Sequence, residues 1–186
     1  MSVLNLSGVR KMPLLRQAEA AECGLACVGM IAGAHGHKMD LPTLRSKFPI
    51  SLKGATLKDI IEISAQMDMG ARAVRCEPEE LKGLRVPAIL HWNMNHFVVF
   101  SGVSGNKFTI YDPAAGKVTM TLEEASKHFT GVALELTPSS GFQRKRERNP
   151  VKLISLVKLD GTAWKAVVQG LALSVFLQVF VLLAPY

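Results

Sequence analysis

The sequence contains no G-x-x-x-x-G-K-[ST] phosphate loop, so these 186 residues do not by themselves run nucleotide-driven transport. It has no disulfide framework either. The three cysteines, Cys23, Cys27 and Cys76, cannot all pair, which argues for free thiols in a reducing compartment. Aromatic residues are scarce at 6%, and none interleaves with the basic residues. The net charge of +7 is therefore not the footprint of a nucleic-acid platform, and no nucleic-acid partner is expected. No segment repeats.

Charge is missing from one region in particular. Charged residues are scattered as far as Lys165 and then stop, and Ala166 to Ala184 reads AVVQGLALSVFLQVFVLLA. This run is close to the lower limit of the roughly 17–25 residues that a membrane-spanning helix needs. It lies at the wrong end for a signal peptide. Only Gln169, Ser174 and Gln178 break it, whereas a core helix of a soluble protein would carry a polar stripe. Arg144, Lys145, Arg146, Arg148, Lys152, Lys158 and Lys165 precede it, and basic residues beside a span favour the cytoplasmic side. The residues before the span should then face the cytoplasm. The run ends at Pro185-Tyr186 without a flank, as expected of a piece of something longer.

The organisation reads in four parts: a folded domain over 1–138, a basic linker over 139–150 (SSGFQRKRERNP), an amphipathic interfacial segment over 151–165, and a first transmembrane helix over 166–186. Helical signals open the domain. Cys23 to Ala34 carries apolar residues at helical spacing. Leu41–Phe48 follows with Asp40 as N-cap, and a third helix starts at Thr56 and stops at Gly70. Short runs of β-formers come next, at 71–76, 87–92, 96–103, 107–112 and 131–137, with a capping box at Thr121–Glu124. Helices first and consecutive strands later predict an α+β fold and exclude a doubly wound one.

Cys23 sits at the predicted amino end of a helix, where unpaired N–H groups favour negative charge and hence a nucleophilic thiolate. The same stretch fits a buried structural cysteine equally well. A thiol nucleophile needs a base, and the base needs an orienting group. Among the five histidines, His96 opens a predicted strand whose hairpin partner ends at Asp112. With Ser104-Gly105-Asn106 as the turn, Asp112 falls opposite Val98, one diagonal step from His96 and on its face. One bulged residue would reverse that result. Gln17, shortly before Cys23, carries a side-chain amide that could donate to an oxyanion, or it is a surface glutamine.

Together, QAEAAECGLACVGMI, LHWNMNHFVVF and YDPAAG resemble the papain-like peptidase domain of peptidase-containing ABC exporters, most closely the colicin V/microcin type. The likeness spans residues 10–137, and the apolar tail fits the first transmembrane helix of such exporters. It implies a papain-like cysteine peptidase fold, with Cys23 as nucleophile, His96 as general base and acid, Asp112 as its orienting residue and Gln17 as oxyanion donor. It further implies cleavage of an N-terminal leader after a double-glycine motif, coupled to export of the freed peptide. The exporter would be a homodimer in the bacterial inner membrane. The peptidase itself would need no cofactor, ATP belonging to an ATPase domain outside these residues. Glu22 stands where many members carry Asp.

Two rival readings stay open at this point. One is a catalytically silent domain that only docks substrate. The other is a zinc site from Cys23-x3-Cys27 and His35-x-His37. Residues of the helix 56–69 and the strand 71–76 could supply an apolar patch for a leader helix.

Overall fold

The computed structural model describes residues 12–52, 54–148 and 161–183. Two units result, one up to Asn149 and one from Pro150 onward.

In the first unit, α1 (Cys23–His35) is apolar on every side, and Cys23 to Ala34 are all buried. A helix of that kind belongs at the centre of a fold. It lies on a sheet, with α2 (Leu41–Lys47) and α3 (Leu57–Gln66) packed around it. Glycines permit this closeness. A Cβ on Gly24 would come within 2.8 Å of Ile60 Cδ1 and 3.1 Å of Ala55 Cβ. Gly36, at φ 108°, ends α1 by returning its N–H to the carbonyls of Ala32 and Gly33. Asp40 caps α2 by accepting from the Thr43 N–H, and a Thr56/Asp59 capping box opens α3.

The sheet is antiparallel with strand order β2-β7-β3-β4-β5-β6. Its strands are β2 (Met69–Arg75), β3 (Ala88–Trp92), β4 (His96–Ser104), β5 (Lys107–Asp112), β6 (Gly116–Met120) and β7 (Phe129–Pro138). Both faces are covered, which explains why the central strands are almost continuously apolar. Ile89, Phe97, Val99, Leu134 and Leu136 pack into the core beneath α1. Their alternates Leu90, Val98, Phe100 and Ala133 join Trp92, Phe108 and Phe129 in a second core. A 3-10 segment (Pro78–Gly83) and α4 (Leu122–Ser126) supply Leu81 and Ala125 to it. The α+β class and all five sequence-predicted strands are present. The sequence reading missed β6 and two short strands, β1 (Lys38–Met39) and β8 (Arg146–Glu147).

Those short strands correct the expected linker. Residues 139–148 are not an independent tether, because they fold back onto the first unit. Lys38 pairs with Arg146 and Met39 with Glu147 in parallel. Phe142 sets its ring edge-on to His35 and His37, at 6.3 and 6.0 Å between centroids. Glu147 accepts from His37 Nε2 (3.1 Å) and Lys145 Nζ (2.8 Å) and also pairs with Lys47. The two lysines, Lys145 first, hold its carboxyl down to about 2. Burial outweighs Glu147 at His37 and lowers the imidazole's proton affinity, so at neutral pH an uncharged imidazole donates to the Glu147 carboxylate.

In the second unit a single helix, α5 (Gly161–Leu183), is described. Residues 151–160 of the expected interfacial segment lie outside the described residues. Its last five residues are part of α5, so the helix begins before the expected position 166. Within it, Trp164–Leu183 is 20 residues of mean hydropathy 2.3, long and apolar enough to cross a membrane.

Candidate active site

Three chain segments meet at the amino end of α1. The first residue of that helix is Cys23, only 3% exposed. One turn further on, the Cys27 thiol donates to the carbonyl of Phe97 at 3.3 Å. That bond pins α1 to the residue after His96 and brings Cys23 over the start of β4. Burial pushes the Cys27 thiol well up, so it acts as a packing group and a weak donor.

His96 enters from a tight turn in which Asn93 and Met94 both adopt positive φ, 49° and 65°. Its Nε2 is 2.8 Å from Asp112 Oδ1, and the Cys23 side chain is near enough to its ring to raise its proton affinity. The side chains of His96 and Asp112 are 17% and 18% exposed, so water screens the pair weakly. The Asp112 bond, and after it the nearby Cys23 side chain, raise His96 to about 9. Its imidazole therefore carries a proton at neutral pH. Burial alone would raise the Asp112 carboxyl. Hydrogen bonds from His96 and the Ala114 N–H (2.7 Å) outweigh burial and hold it below its ordinary range.

The alignment of β4 with β5 depends on one irregularity. The turn is Gly105-Asn106, one residue shorter than expected, and Ser104 pairs with Lys107. Carried to the strand end, that register would leave Asp112 out of phase with His96. A bulge between Phe100 and Gly102 shifts it, so that Val99 pairs with Tyr111. Continuing from there sets Asp112 opposite Val98, diagonal to His96, as expected. Gly102 absorbs the bend at φ 136°.

Gln17 reaches the site through a clamp the sequence reading missed. Its backbone N–H donates to the carbonyl of Pro113 at 3.0 Å, in the turn that follows Asp112. Arg16 grips the same turn, donating from Nη1 to Ala114 O (3.1 Å) and from Nη2 to Ala115 O (3.5 Å). A Cβ on Gly116 would come within 2.9 Å of that guanidinium. The Gln17 side chain is partly buried, and its Oε1 has no hydrogen-bond partner among the described residues. All four sequence-predicted residues thus belong to one neighbourhood. Asp112-Pro113 carries a local signal, since Asp accepts from the N–H two residues on. The partners of Arg16, nearly 100 residues away, carry none.

A cavity of about 410 Å³ opens beside this cluster. Asn95 and Phe97, which flank His96, line it together with Ala55, which packs on Gly24, and Leu57, His91 and Met94. Its lining is mainly apolar. The zinc reading finds no support. Cys27 is committed to Phe97, and His37 to Glu147. Among the described residues, no group of three or more His, Cys, Asp or Glu side chains is arranged to hold a metal.

Over 184 residues, 99% of its length, the chain is 41% identical to the colicin V secretion/processing ATP-binding protein CvaB of Escherichia coli. It is 39% identical over 182 residues to the probable microcin-H47 secretion/processing ATP-binding protein MchF of the same species. It spans 26% of the length of each of these relatives. Among solved structures it is similar to a double-glycine-motif protease from an AMS/PCAT transporter, crystallised with the leader peptide. That match has 35% identity and a TM-score of 0.66, covering 72% of this chain and 96% of the other. The peptidase domain of Streptococcus ComA shares the fold at 23% identity and a TM-score of 0.63, over 69% of this chain and all of the other. Residues 11–141 match the peptidase C39 family, and the chain belongs to that family of cysteine peptidases.

Proposed function

We propose that this chain is the peptidase part of an exporter, and that it removes a double-glycine leader from a bacteriocin- or microcin-type precursor. The observation that carries the proposal is the His96 ring, hydrogen-bonded to Asp112 at 2.8 Å and close enough to Cys23 for that side chain to raise its proton affinity. Such a row is what acyl transfer from a thiol requires. The similarity to a double-glycine-motif protease over nearly all of that protein's length supports the substrate class.

In the proposed mechanism Cys23 attacks as thiolate the carbonyl of the second leader glycine. The oxyanion that forms is met by the Gln17 side-chain amide and a backbone N–H at the start of α1. Protonated His96 gives its proton to the leaving amine as the C–N bond breaks, which frees the mature peptide and leaves the leader as a thioester on Cys23. The now neutral imidazole takes a proton from water, hydroxide attacks the thioester, the C–S bond breaks to release the leader as a carboxylic acid, and the Cys23 thiolate is restored beside protonated His96. Throughout, Asp112 stabilises the imidazolium and holds the ring in place. Leader side chains ahead of the glycines enter the apolar cavity beside Phe97.

In this reading α5 is the first transmembrane helix and the peptidase faces the cytoplasm of a bacterial cell. The parent exporter supplies ATP hydrolysis from its own ATPase domain and works as a homodimer. Incubation of the full chain in detergent with a synthetic double-glycine leader peptide, read by mass spectrometry, tests the proposal. Two products separated after the second glycine are expected, and none with His96→Ala. Equal cleavage by that variant, or cleavage elsewhere, would overturn it.

A further inference from the structure

The residue just ahead of the nucleophile does more than fill space. Glu22 is 3% exposed, an unusual place for a carboxylate, and it is fully partnered. Its Oε2 accepts the N–H of Ala18 at 2.9 Å and that of Glu19 at 3.1 Å, and its Oε1 pairs with Arg45 of α2. Burial alone would raise this carboxyl. Arg45 and the two N–H groups together hold it below its ordinary range, so it stays charged at neutral pH.

These bonds have a consequence for Gln17. The peptide group before Gln17 is fixed through its N–H to Pro113. The peptide group after it is fixed through the Ala18 N–H to Glu22. The Cα that carries the proposed oxyanion donor is therefore held from both sides. One anchor lies in the turn after Asp112, and the other on the residue covalently joined to Cys23. Arg45 balances the charge that Glu22 would otherwise set beside the sulfur.

Resting on the peptidase reading above, we infer that Glu22 is a positioning residue for the oxyanion donor: its carboxylate sets the separation between the Gln17 amide and the Cys23 sulfur. Glutamine in its place keeps the size of the side chain but cannot serve both sides. If its oxygen accepts from Ala18 and Glu19, its NH₂ meets the Arg45 donor. Aspartate keeps the charge, and an aspartate at the equivalent position of the Thr56–Asp59 capping box reaches its N-cap N–H at 2.7 Å.

The test separates steps that need an oxyanion donor from one that does not. Turnover of a double-glycine peptide and binding of a peptide aldehyde, which forms a tetrahedral adduct with the thiol, need the donor. Alkylation of Cys23 by iodoacetamide needs only the sulfur and His96. For Glu22→Gln, kcat and aldehyde affinity should each fall about 100-fold, the scale of a donor misplaced by an ångström. KM and the alkylation rate across pH should stay within about threefold of wild type, and Glu22→Asp should recover most of kcat. The double variant with Gln17→Ala should lose no more than Gln17→Ala alone. Arg45→Met, a change at a half-exposed residue, should show the same pattern more weakly, which keeps the test open if Glu22→Gln does not fold. Parallel losses in alkylation and aldehyde binding, or additive losses in the double variant, would overturn the inference. A wild-type chain that cleaves no double-glycine peptide sinks the peptidase reading instead. The aldehyde and alkylation arms need no cleavage and would still decide the role of Glu22.

Discussion

Replacing Asp112 by Asn isolates the charge behind the active-site geometry. An asparagine oxygen can still accept from His96 Nε2 and from the Ala114 N–H, so orientation survives and only the negative charge is lost. The imidazole stands at about 9 against an ordinary 6.5, with the Asp112 bond as the leading cause and the nearby Cys23 side chain second. At about 1.4 kcal/mol for each tenfold in proton affinity, the whole rise amounts to about 3–4 kcal/mol, shared between those two partners. Because the folded value lies above the unfolded one, this stability is fully present below pH 6.5 and is lost as pH rises through about 9. Asp112→Asn should therefore destabilise the protein at pH 6 and match wild type at pH 10. The alkaline limb of kcat/KM on a double-glycine peptide should move down from about 9 toward neutrality. Thermal melts at the two pH values and a rate profile from pH 5 to 10 read both effects. An alkaline limb still at 9 in the variant would refute the assignment of Asp112 as the source of His96's basicity.

Other consequences follow from single contacts. In the native chain iodoacetamide should label Cys23 and leave Cys27, which is fully buried and raised well above its usual range, unmodified until the protein is denatured. Cys27→Ala should cost about 1–2 kcal/mol by denaturant melts, through the lost hydrogen bond and a small void. Glu147→Gln removes the carboxylate shared by His37, Lys47 and Lys145, so amide exchange at Lys38, Met39 and residues 145–147 should speed up about tenfold while the sheet stays protected.

Much of the site was legible because its signals are local. An apolar stretch beginning at Cys23, strands opening at His96 and closing at Asp112, and an Asp-Pro turn are all readable from neighbouring residues. Asp112 was nevertheless placed correctly for an incomplete reason. A three-residue turn was expected at Ser104–Asn106, whereas a two-residue turn and a bulge near Gly102 together give the same register at the far end. Neither leaves a clear mark, because a bulge costs little and is selected by what it aims. The clamp from Arg16 to Ala114 and Ala115, and the pairing of Glu22 with Arg45, join distant segments by contacts that periodicity does not encode. The segment 139–148 looked like a tether because it is rich in charge. Three of those charges fold back with Phe142 as its apolar anchor: Lys145 and Glu147 in ion pairs, and Arg146 in strand pairing. β6 escaped notice because GKVTM has polar residues at alternate positions, as an edge strand does.

The proposed catalysis passes through a covalent bond between the leader and Cys23. Acid quenching of the full chain during turnover of a double-glycine peptide, followed by digestion and mass spectrometry, looks for that bond directly. The expected result is the leader, ending in its second glycine, attached to the Cys23 peptide and absent in Cys23→Ala. An adduct on another residue, or undiminished cleavage by Cys23→Ala, would contradict the account.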